Sequence, residues 1–122
     1  MAATNKADTI RAIFAAYLAN DRKCVEDALS DDFRFTSPFD DGIDKPTYFE
    51  RCWKSTDWVE RHELEEIFVE GNEAFVTYRC VAKGGQSFRN TEFFVFDGDK
   101  VKRIDVYFGA AYDNGVFAAQ AR

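Results

Sequence analysis

The stretch that most constrains the fold is residues 87–109, SFRNTEFFVFDGDKVKRIDVYFG. Two apolar, aromatic-rich runs, residues 88–96 and 101–108, flank a short polar segment that contains Gly98. β-Branched and aromatic residues favour strands, and an Asp-Gly pair between two such runs favours a tight turn. The sequence therefore predicts an antiparallel hairpin near the end of the chain.

Aromatic residues occur on both faces of the first strand of this hairpin. Because strand side chains alternate, one face carries Phe88, Asn90, Glu92, Phe94 and Phe96, and the other carries Arg89, Thr91, Phe93 and Val95. We expect both faces to be covered, one by helices and the other by a second subunit. Glu92 stands among aromatic residues, so its carboxyl group must be solvated, paired or protonated.

The first half of the chain has helical periodicity. Within residues 5–19, the apolar side chains recur at helical spacing, which predicts an amphipathic helix with Ile10, Phe14, Tyr17 and Leu18 facing the interior. Asp21 is expected to cap a second helix that reaches residue 29 and is ended by residues 30–32.

A short strand and a third helix follow. Residues 33–37 alternate as a strand until Pro38, after which residues 39–42 read as an acidic loop. Asp44 is expected to cap the third helix, although Thr47 followed by Glu50 also permits a start one turn later.

From residue 62 the hydrophobic period changes from helical to strand-like. Residues 62–70, 74–83, 86–96 and 100–108 are separated by three glycine-containing turns, which predicts a four-stranded meander. The tail after residue 109 has no strong period, and we expect order there only where Tyr112 or Phe117 finds a surface. Helices followed by a meander predict one α+β domain over residues 1–122, a cone-shaped α+β barrel with three N-terminal helices on a strongly curved, mainly antiparallel sheet.

Composition excludes several classes of protein. The formal charge of -6 over 122 residues argues against nucleic-acid binding and against anionic membrane surfaces. No apolar run is long enough for a signal peptide or a membrane span. The odd number of cysteines, Cys24, Cys52 and Cys80, is typical of reduced core residues, so we expect a cytoplasmic protein.

Motifs for metals, nucleotides and serine hydrolases are absent from the sequence. The spacings of His, Cys and carboxylate residues match no usual metal site, and no glycine-rich phosphate loop or GxSxG occurs. We therefore expect neither metal nor cofactor. The single histidine, His62, lies among charged residues and is expected at the surface, with duty as a general base as the alternative. Asp105 could join Arg79 in an epoxide-hydrolase pattern, but alternation along the last strand points it outward.

Three segments carry a family resemblance: DDFRFTSPFDDGID at residues 31–44, YFERCW at residues 48–53, and the terminal hairpin at residues 89–109. With the order of elements, they resemble the SnoaL-like branch of the nuclear transport factor two superfamily, which includes ketosteroid isomerases. The resemblance covers nearly the whole chain. It implies a curved sheet wrapped on three helices, a deep apolar pocket and a homodimer. It does not imply one activity, because this fold hosts both enzymes and non-catalytic proteins.

The resemblance to ketosteroid isomerases implies roles for individual residues. Their oxyanion-hole tyrosine falls on Tyr17, and their oxyanion-hole carboxylic acid falls on Glu92. Their general base, an Asp directly before a Pro, is replaced by Ser37, which cannot abstract a carbon-bound proton without activation. Asp40 or Asp41, in the adjacent loop, is a candidate substitute. A buried pair of Tyr17 with Glu92 is the structural alternative to catalysis.

Large aromatic side chains should leave concave apolar surface at the wide end of the cone. The expected ligand-binding residues are Phe14, Phe35, Ser37, Phe39, Phe49, Trp53, Asn90, Phe94 and Phe108. The ligand is expected to be a small hydrophobic or aromatic molecule with a polar tip, bound by a cofactor-independent isomerase, cyclase or lyase. The alternative is a non-catalytic dimeric ligand-binding or accessory domain.

The outer face of the sheet is the expected dimer interface. Phe93 and Val95, with Phe75 or Val76 on the neighbouring strand, would otherwise form an apolar patch in water. A two-fold axis would pair this patch with itself.

Overall fold

The computed structural model describes residues 5–53 and 57–119, in which three helices accompany seven strands. In chain order the elements are α1 (Lys6–Leu18), α2 (Arg22–Ala28), β1 (Leu29–Ser37), β2 (Asp40–Asp44), α3 (Lys45–Cys52), β3 (Val59–Glu70), β4 (Glu73–Ala82), β5 (Gln86–Asp97), β6 (Lys100–Asp113) and β7 (Val116–Ala118). The predicted α+β class and the four-stranded meander β3–β6 are confirmed.

All described strands belong to one curved, unclosed sheet. Its order is β2-β1-β6-β5-β4-β3, and β7 pairs with the far end of β6. Every pairing is antiparallel except that of β1 with β6. The register shifts within the β3–β4 and β5–β6 ladders, and such bulges bend strands and increase their twist. The sheet is therefore concave on the side where the helices lie.

The predicted terminal hairpin is present with the predicted faces. β5 and β6 pair so that Glu92 lies opposite Val106 and Phe94 lies opposite Ile104. Phe94 is fully buried and Phe96 nearly so, which places this face of β5 against the helices. Gly98, at φ 60°, occupies the turn in a left-handed conformation that favours glycine.

Each helix begins at a side-chain cap. Asn5 accepts from the backbone N–H of Asp8 at 3.2 Å, Asp21 from that of Cys24 at 3.2 Å, and Asp44 from that of Thr47 at 3.0 Å. These bonds satisfy N–H groups that lack a partner within the helix. The start of α3 at the Asp44 cap decides between the two starts that the sequence allowed.

The core lies between the helices and the concave face of the sheet. The buried apolar side chains that dominate it are Ile10, Ile13, Phe14, Val25, Phe33, Tyr48, Phe49, Val76, Phe94 and Val101. Leu18, expected to face inward, is instead 41% exposed, because it is the last residue of α1, where the helix ends. Cys80 is buried, whereas Cys24 and Cys52 are half-buried, and all three are free thiols.

Two segments expected to be irregular form hairpins. Residues 39–42 were expected in an acidic loop, but residues 40–42 belong to the strand β2, which pairs with β1 on the far side of Pro38. β1 itself begins at Leu29, so residues 30–32 belong to a strand. In the tail, β6 continues to Asp113 and turns at Asn114 and Gly115, which both have positive φ, into β7. Positive φ at two successive turn residues is typical of a type I′ hairpin turn, which joins two antiparallel strands.

The described helices are short. The longest, α1, has 13 residues, which at 1.5 Å per residue gives a length of about 20 Å, against the ~30 Å of a bilayer core. None of the helices in residues 5–53 and 57–119 combines the length and the apolar character that crossing a membrane requires.

The outer, convex face of the sheet carries large apolar side chains. Phe75 is 48% exposed and packs on Phe93 at a ring distance of 4.7 Å. Val76, expected as an alternative member of this patch, is fully buried on the concave face. Asp105 lies on the convex face as expected, yet it is buried and paired with Arg103 at 2.7 Å.

One lysine joins three elements, and its replacement tests the packing of the helices. The Lys45 ammonium group, at the start of α3, donates to the carbonyl oxygens of Glu26 at 2.8 Å and Leu29 at 3.0 Å. Hydrogen bonds from a charged donor contribute more to the free energy of unfolding than bonds between neutral groups do. We expect Lys45→Met to lower the free energy of unfolding by about 2 kcal/mol in urea denaturation. Lys102, which is exposed on β6, provides the control Lys102→Met. An equal loss of unfolding free energy in both variants would contradict the role of Lys45 in joining the three elements.

Candidate functional site

A cavity of about 310 Å³ lies between the helices and the concave face of the sheet. Its wall is mostly aromatic and aliphatic, and its polar side chains come from six elements: α1, β1, α3, β3, β4 and β5. Apolar pockets with a few placed polar groups are the usual form of small-molecule sites. Helices α1 and α3 and the strands β1, β3, β4, β5 and β6 contribute most of its lining residues.

Seven of the predicted site residues line this cavity. They are Phe14, Tyr17, Phe35, Ser37, Phe39, Glu92 and Phe108. Phe39 and Phe108 are among the exposed large side chains and contact each other at a ring distance of 5.6 Å, which places this aromatic pair at the mouth.

The other predicted site residues lie behind the wall. Phe49 and Phe94 are buried in the apolar core. Trp53 packs against the Tyr17 ring at 4.8 Å, and Asn90 is buried beside β4. Asp40 is buried as well and contacts residues of the wall rather than lining it itself.

A chain of hydrogen bonds holds the carboxyl group of Glu92. The amide of Asn90 donates to the hydroxyl of Tyr78 at 3.2 Å, and that hydroxyl donates to the Glu92 carboxylate at 2.7 Å. The three residues meet because β4 and β5 pair with Tyr78 opposite Asn90 and Val76 opposite Glu92. The structure thus gives Glu92 a tyrosine partner on the neighbouring strand, where the sequence suggested Tyr17.

Burial raises the pKa of Glu92 to about 7, and the hydrogen bond from Tyr78 offsets part of that shift. The part of Glu92 that remains accessible faces the cavity it lines. A carboxyl group with such a pKa is present in both protonation states near neutral pH. Glu92 can therefore either accept or donate a proton at the cavity wall.

The two tyrosines near Glu92 keep their protons. Burial raises the pKa of Tyr17 and of Tyr78 well above the usual value, and the charge of Glu92 adds to both shifts. A phenol that stays protonated remains a hydrogen-bond donor. Both hydroxyl groups can therefore stabilise negative charge on oxygen.

His62 lies in the cavity wall and not at the surface, contrary to the sequence-based expectation. Its ring packs edge-on against Phe14 at 5.4 Å and Tyr78 at 5.9 Å. Burial lowers its pKa, despite an opposing contribution from the Phe14 backbone. The imidazole is accordingly neutral near pH 7 and forms part of the wall.

A second polar cluster occupies the wall near the mouth. Asp40 accepts from the Ser37 hydroxyl at 3.0 Å and from the Cys52 thiol at 3.8 Å, and it pairs with Arg51 at 3.0 Å. Ser37 also accepts from the backbone N–H of Phe39 at 3.1 Å. The hydroxyl that replaces the expected base is therefore engaged in the turn around Pro38 and in the Asp40 cluster.

The Cys80 thiol of the wall is not activated as a nucleophile, and the described residues do not form a metal site. Burial raises the pKa of the Cys80 thiol to about 11, so this sulfur stays protonated at neutral pH. In the described portion of the chain, His, Cys and carboxylate side chains do not gather in threes as a metal site would require.

Arg51, His62 and Tyr78 are among the polar residues of the wall that sequence reasoning did not assign to the site. The alternation of Val76, Tyr78 and Cys80 could have placed Tyr78 on the concave face. Helical spacing could have placed Arg51 near Tyr48 and Cys52. His62 gave no such signal, since its sequence neighbours are charged.

Replacement of Glu92 by glutamine should change how stability depends on pH. The folded pKa of about 7 exceeds the ordinary glutamate value of about 4.3, so the folded state holds the proton more tightly than the unfolded state. The free energy of unfolding should therefore fall as pH rises from about 4.5 to about 7, by about 3 kcal/mol in total, and stay level above that. Glu92→Gln should lack this loss in urea denaturation at pH 4.5 and pH 8.

The exposed Glu70, at the end of β3, supplies the matched control Glu70→Gln, which should follow the wild-type profile. A carbon-13 NMR titration reads the carboxyl group of Glu92 directly. A midpoint near the ordinary value of about 4.3 would show that Glu92 is solvated and would remove it from the candidate site.

The sequence and structure were compared with known proteins. A search among curated proteins finds no match. Among solved structures, an NTF2-like protein of unknown function from Cytophaga hutchinsonii has a TM-score of 0.72 at 16% identity, covering 88% of this chain and 92% of that chain. A putative SnoaL-like polyketide cyclase from Jannaschia sp. has a TM-score of 0.70 at 15% identity, covering 84% and 83%.

A third structure is that of a hypothetical protein from Catenulispora acidiphila, which has a ketosteroid isomerase-like fold and was solved in complex with trimethylamine. Its TM-score is 0.65 at 12% identity, with 83% of this chain and 85% of that chain covered. At such identities these likenesses show the fold alone. The sequence profile of the SnoaL-like domain matches residues 10–104, which is most of the chain. The chain therefore belongs to the SnoaL-like domain family.

Proposed function

We propose that this SnoaL-like domain binds a small, mainly apolar carbonyl compound in the cavity and catalyses a cofactor-independent proton transfer on it. Isomerases, cyclases and lyases all use such a step. The observation that carries the proposal is the Glu92 carboxyl group, held by Tyr78 at 2.7 Å in an apolar wall with its pKa raised to about 7. A general base works best when its pKa lies near the working pH.

The proposed step needs only groups of the chain. The Glu92 carboxylate takes a proton from a carbon beside the carbonyl group, and the electron pair of that C–H bond moves to form an enolate. Tyr17 donates a hydrogen bond to the enolate oxygen, which stabilises charge that develops in the transition state. The protonated Glu92 then returns the proton to another carbon of an isomerising substrate, or to the alkoxide formed when the enolate closes a ring.

This assignment supplies the base that Ser37 cannot provide. Ser37 donates to Asp40, and the Asp40 carboxylate is occupied by Ser37 and Arg51. Glu92, in contrast, lines the cavity directly. Two proteins of the same fold, from Jannaschia and from Sinorhizobium meliloti, are named as putative polyketide cyclases, which supports the proposal.

Exchange of carbon-bound protons in D₂O tests the proposal without knowledge of the product. Enones, polyketide-like methyl esters and other enolisable ketones are incubated with the protein and followed by proton NMR. Removing a general base costs about 10²–10⁴-fold in rate, so Glu92→Gln should lose exchange while ligand affinity stays within a few-fold. The control Glu70→Gln should exchange at the wild-type rate.

The pH dependence of the exchange rate should also change when Tyr78 is replaced. Its hydrogen bond lowers the pKa of Glu92, so Tyr78→Phe should move the pKa seen in kcat/KM to higher pH. Binding without exchange across the whole panel would refute the catalytic proposal and favour the non-catalytic ligand-binding alternative.

We propose also that the domain forms a homodimer through the convex face of the sheet. The exposed Phe75 and its partner Phe93 form an apolar patch there, and patches of this kind usually mark interfaces. A two-fold axis brings each patch against its copy, so Phe75→Arg should yield monomer by light scattering. Phe117→Arg, at an exposed aromatic of β7, should leave the dimer intact; a monomeric wild type would refute the proposal.

A further inference from the structure

Arg51 is the one lysine or arginine among the cavity-lining residues of the described chain. It lies in the last turn of α3, and 45% of its side chain is exposed. The aromatic pair Phe39 and Phe108 is exposed and lines the same cavity. The guanidinium group therefore stands in the wall near the opening, away from the core.

Asp40 holds this guanidinium in place. The Asp40 side chain is fully buried and pairs with Arg51 at 3.0 Å through one carboxylate oxygen. The other oxygen accepts from the Ser37 hydroxyl at 3.0 Å and the Cys52 thiol at 3.8 Å. A buried carboxylate anchored on three side chains is a fixed support, so Asp40 acts as a positioning residue for Arg51.

An arginine held in this way can bind a second anion. A guanidinium group carries five N–H donors in a planar fork, and one contact with Asp40 leaves donors for another acceptor. Arginine matches a carboxylate with two parallel hydrogen bonds, and fixing the side chain in advance reduces the entropy lost on binding.

We propose that Arg51 forms a carboxylate-binding subsite, so that the ligand of this cavity is a small apolar carboxylic acid bound as its anion. This inference rests on the proposed function, since it names the class of molecule that the cavity accepts. The carboxylate would lie at the Arg51 end near the mouth, with the apolar part of the ligand against the aromatic wall. Arg51 would then set the orientation in which the ligand reaches Glu92.

The charge around Arg51 favours a carboxylate over a phosphate. Among the described lining residues the one arginine is Arg51, whose charge Asp40 already neutralises, and the chain as a whole carries a formal charge of -6. A phosphate carrying nearly two charges would need further cations near it. A singly charged, planar carboxylate fits one guanidinium edge without them.

Calorimetry with matched ligand pairs tests this subsite. The probes are 3-phenylpropanoate, 4-phenylbutanoate and octanoate, each beside its primary amide, which has the same shape and no charge. At pH 6 the probes are ionised, since this lies above the ordinary pKa of a carboxyl group. We expect at least one acid to bind the wild type about tenfold more tightly than its amide, as one charge-assisted pair would give.

The double variant Arg51→Met/Asp40→Asn removes both charges, so that no buried carboxylate is left without its partner. It should bind acid and amide equally, with the amide affinity unchanged. Arg51→Lys should retain part of the preference, because lysine keeps the charge but lacks the fork. Arg11→Met, in the exposed pair with Asp8 on α1, should match the wild type.

The outcomes separate this inference from the proposed function. Amides that bind as well as acids, or an acid preference that survives in the double variant, would overturn the subsite and leave the cavity as a ligand site. Absence of binding by every acid and every amide would overturn ligand binding in the cavity, and the subsite with it. Thermal unfolding of each variant confirms that a lost preference reflects the site and not the fold.

Discussion

The chemistry that the cavity can support depends on how the carboxyl group of Glu92 is stabilised on the concave face of the sheet. A lone ionised carboxylate there would cost several kcal/mol. The hydrogen bonds from Asn90 to Tyr78 and from Tyr78 to Glu92 reduce that cost, while burial keeps the pKa of Glu92 raised to about 7. The same pairing of β4 with β5 that builds the sheet therefore sets the protonation of Glu92.

Arg51, the other charged group of the wall, is stabilised by an ion pair. Arg51 is partly exposed, and its charge is balanced by the buried Asp40. Because Asp40 begins β2, directly after the turn at Pro38, the hairpin of β1 and β2 is what brings it against α3. The wall thus combines Glu92, which can exchange a proton near neutral pH, with Arg51, whose charge is permanent.

Membership of the SnoaL-like family accounts for the architecture and leaves the chemistry to individual residues. Solved structures at 12–16% identity share the fold over most of their length, because the pattern of helices and strands can be kept while the side chains of the cavity change. Ser37 illustrates such a change. The position expected to hold a base carries a hydroxyl group bonded to Asp40, so any proton transfer must depend on another residue.

The sequence by itself determined the α+β class, the Asp21 cap of α2, the meander and the face of β5 that carries Glu92, because these follow from local periodicity and turn chemistry. The family resemblance placed Tyr17 and Glu92 at the cavity and offered Tyr17 as a possible partner of Glu92, whereas the hydrogen bond to Glu92 comes from Tyr78. Only the tertiary structure decided that Tyr78 bonds Glu92, that Asp40 anchors Arg51 and that His62 lies inside. These contacts join residues distant in sequence through strand register and helix packing, which local patterns do not specify.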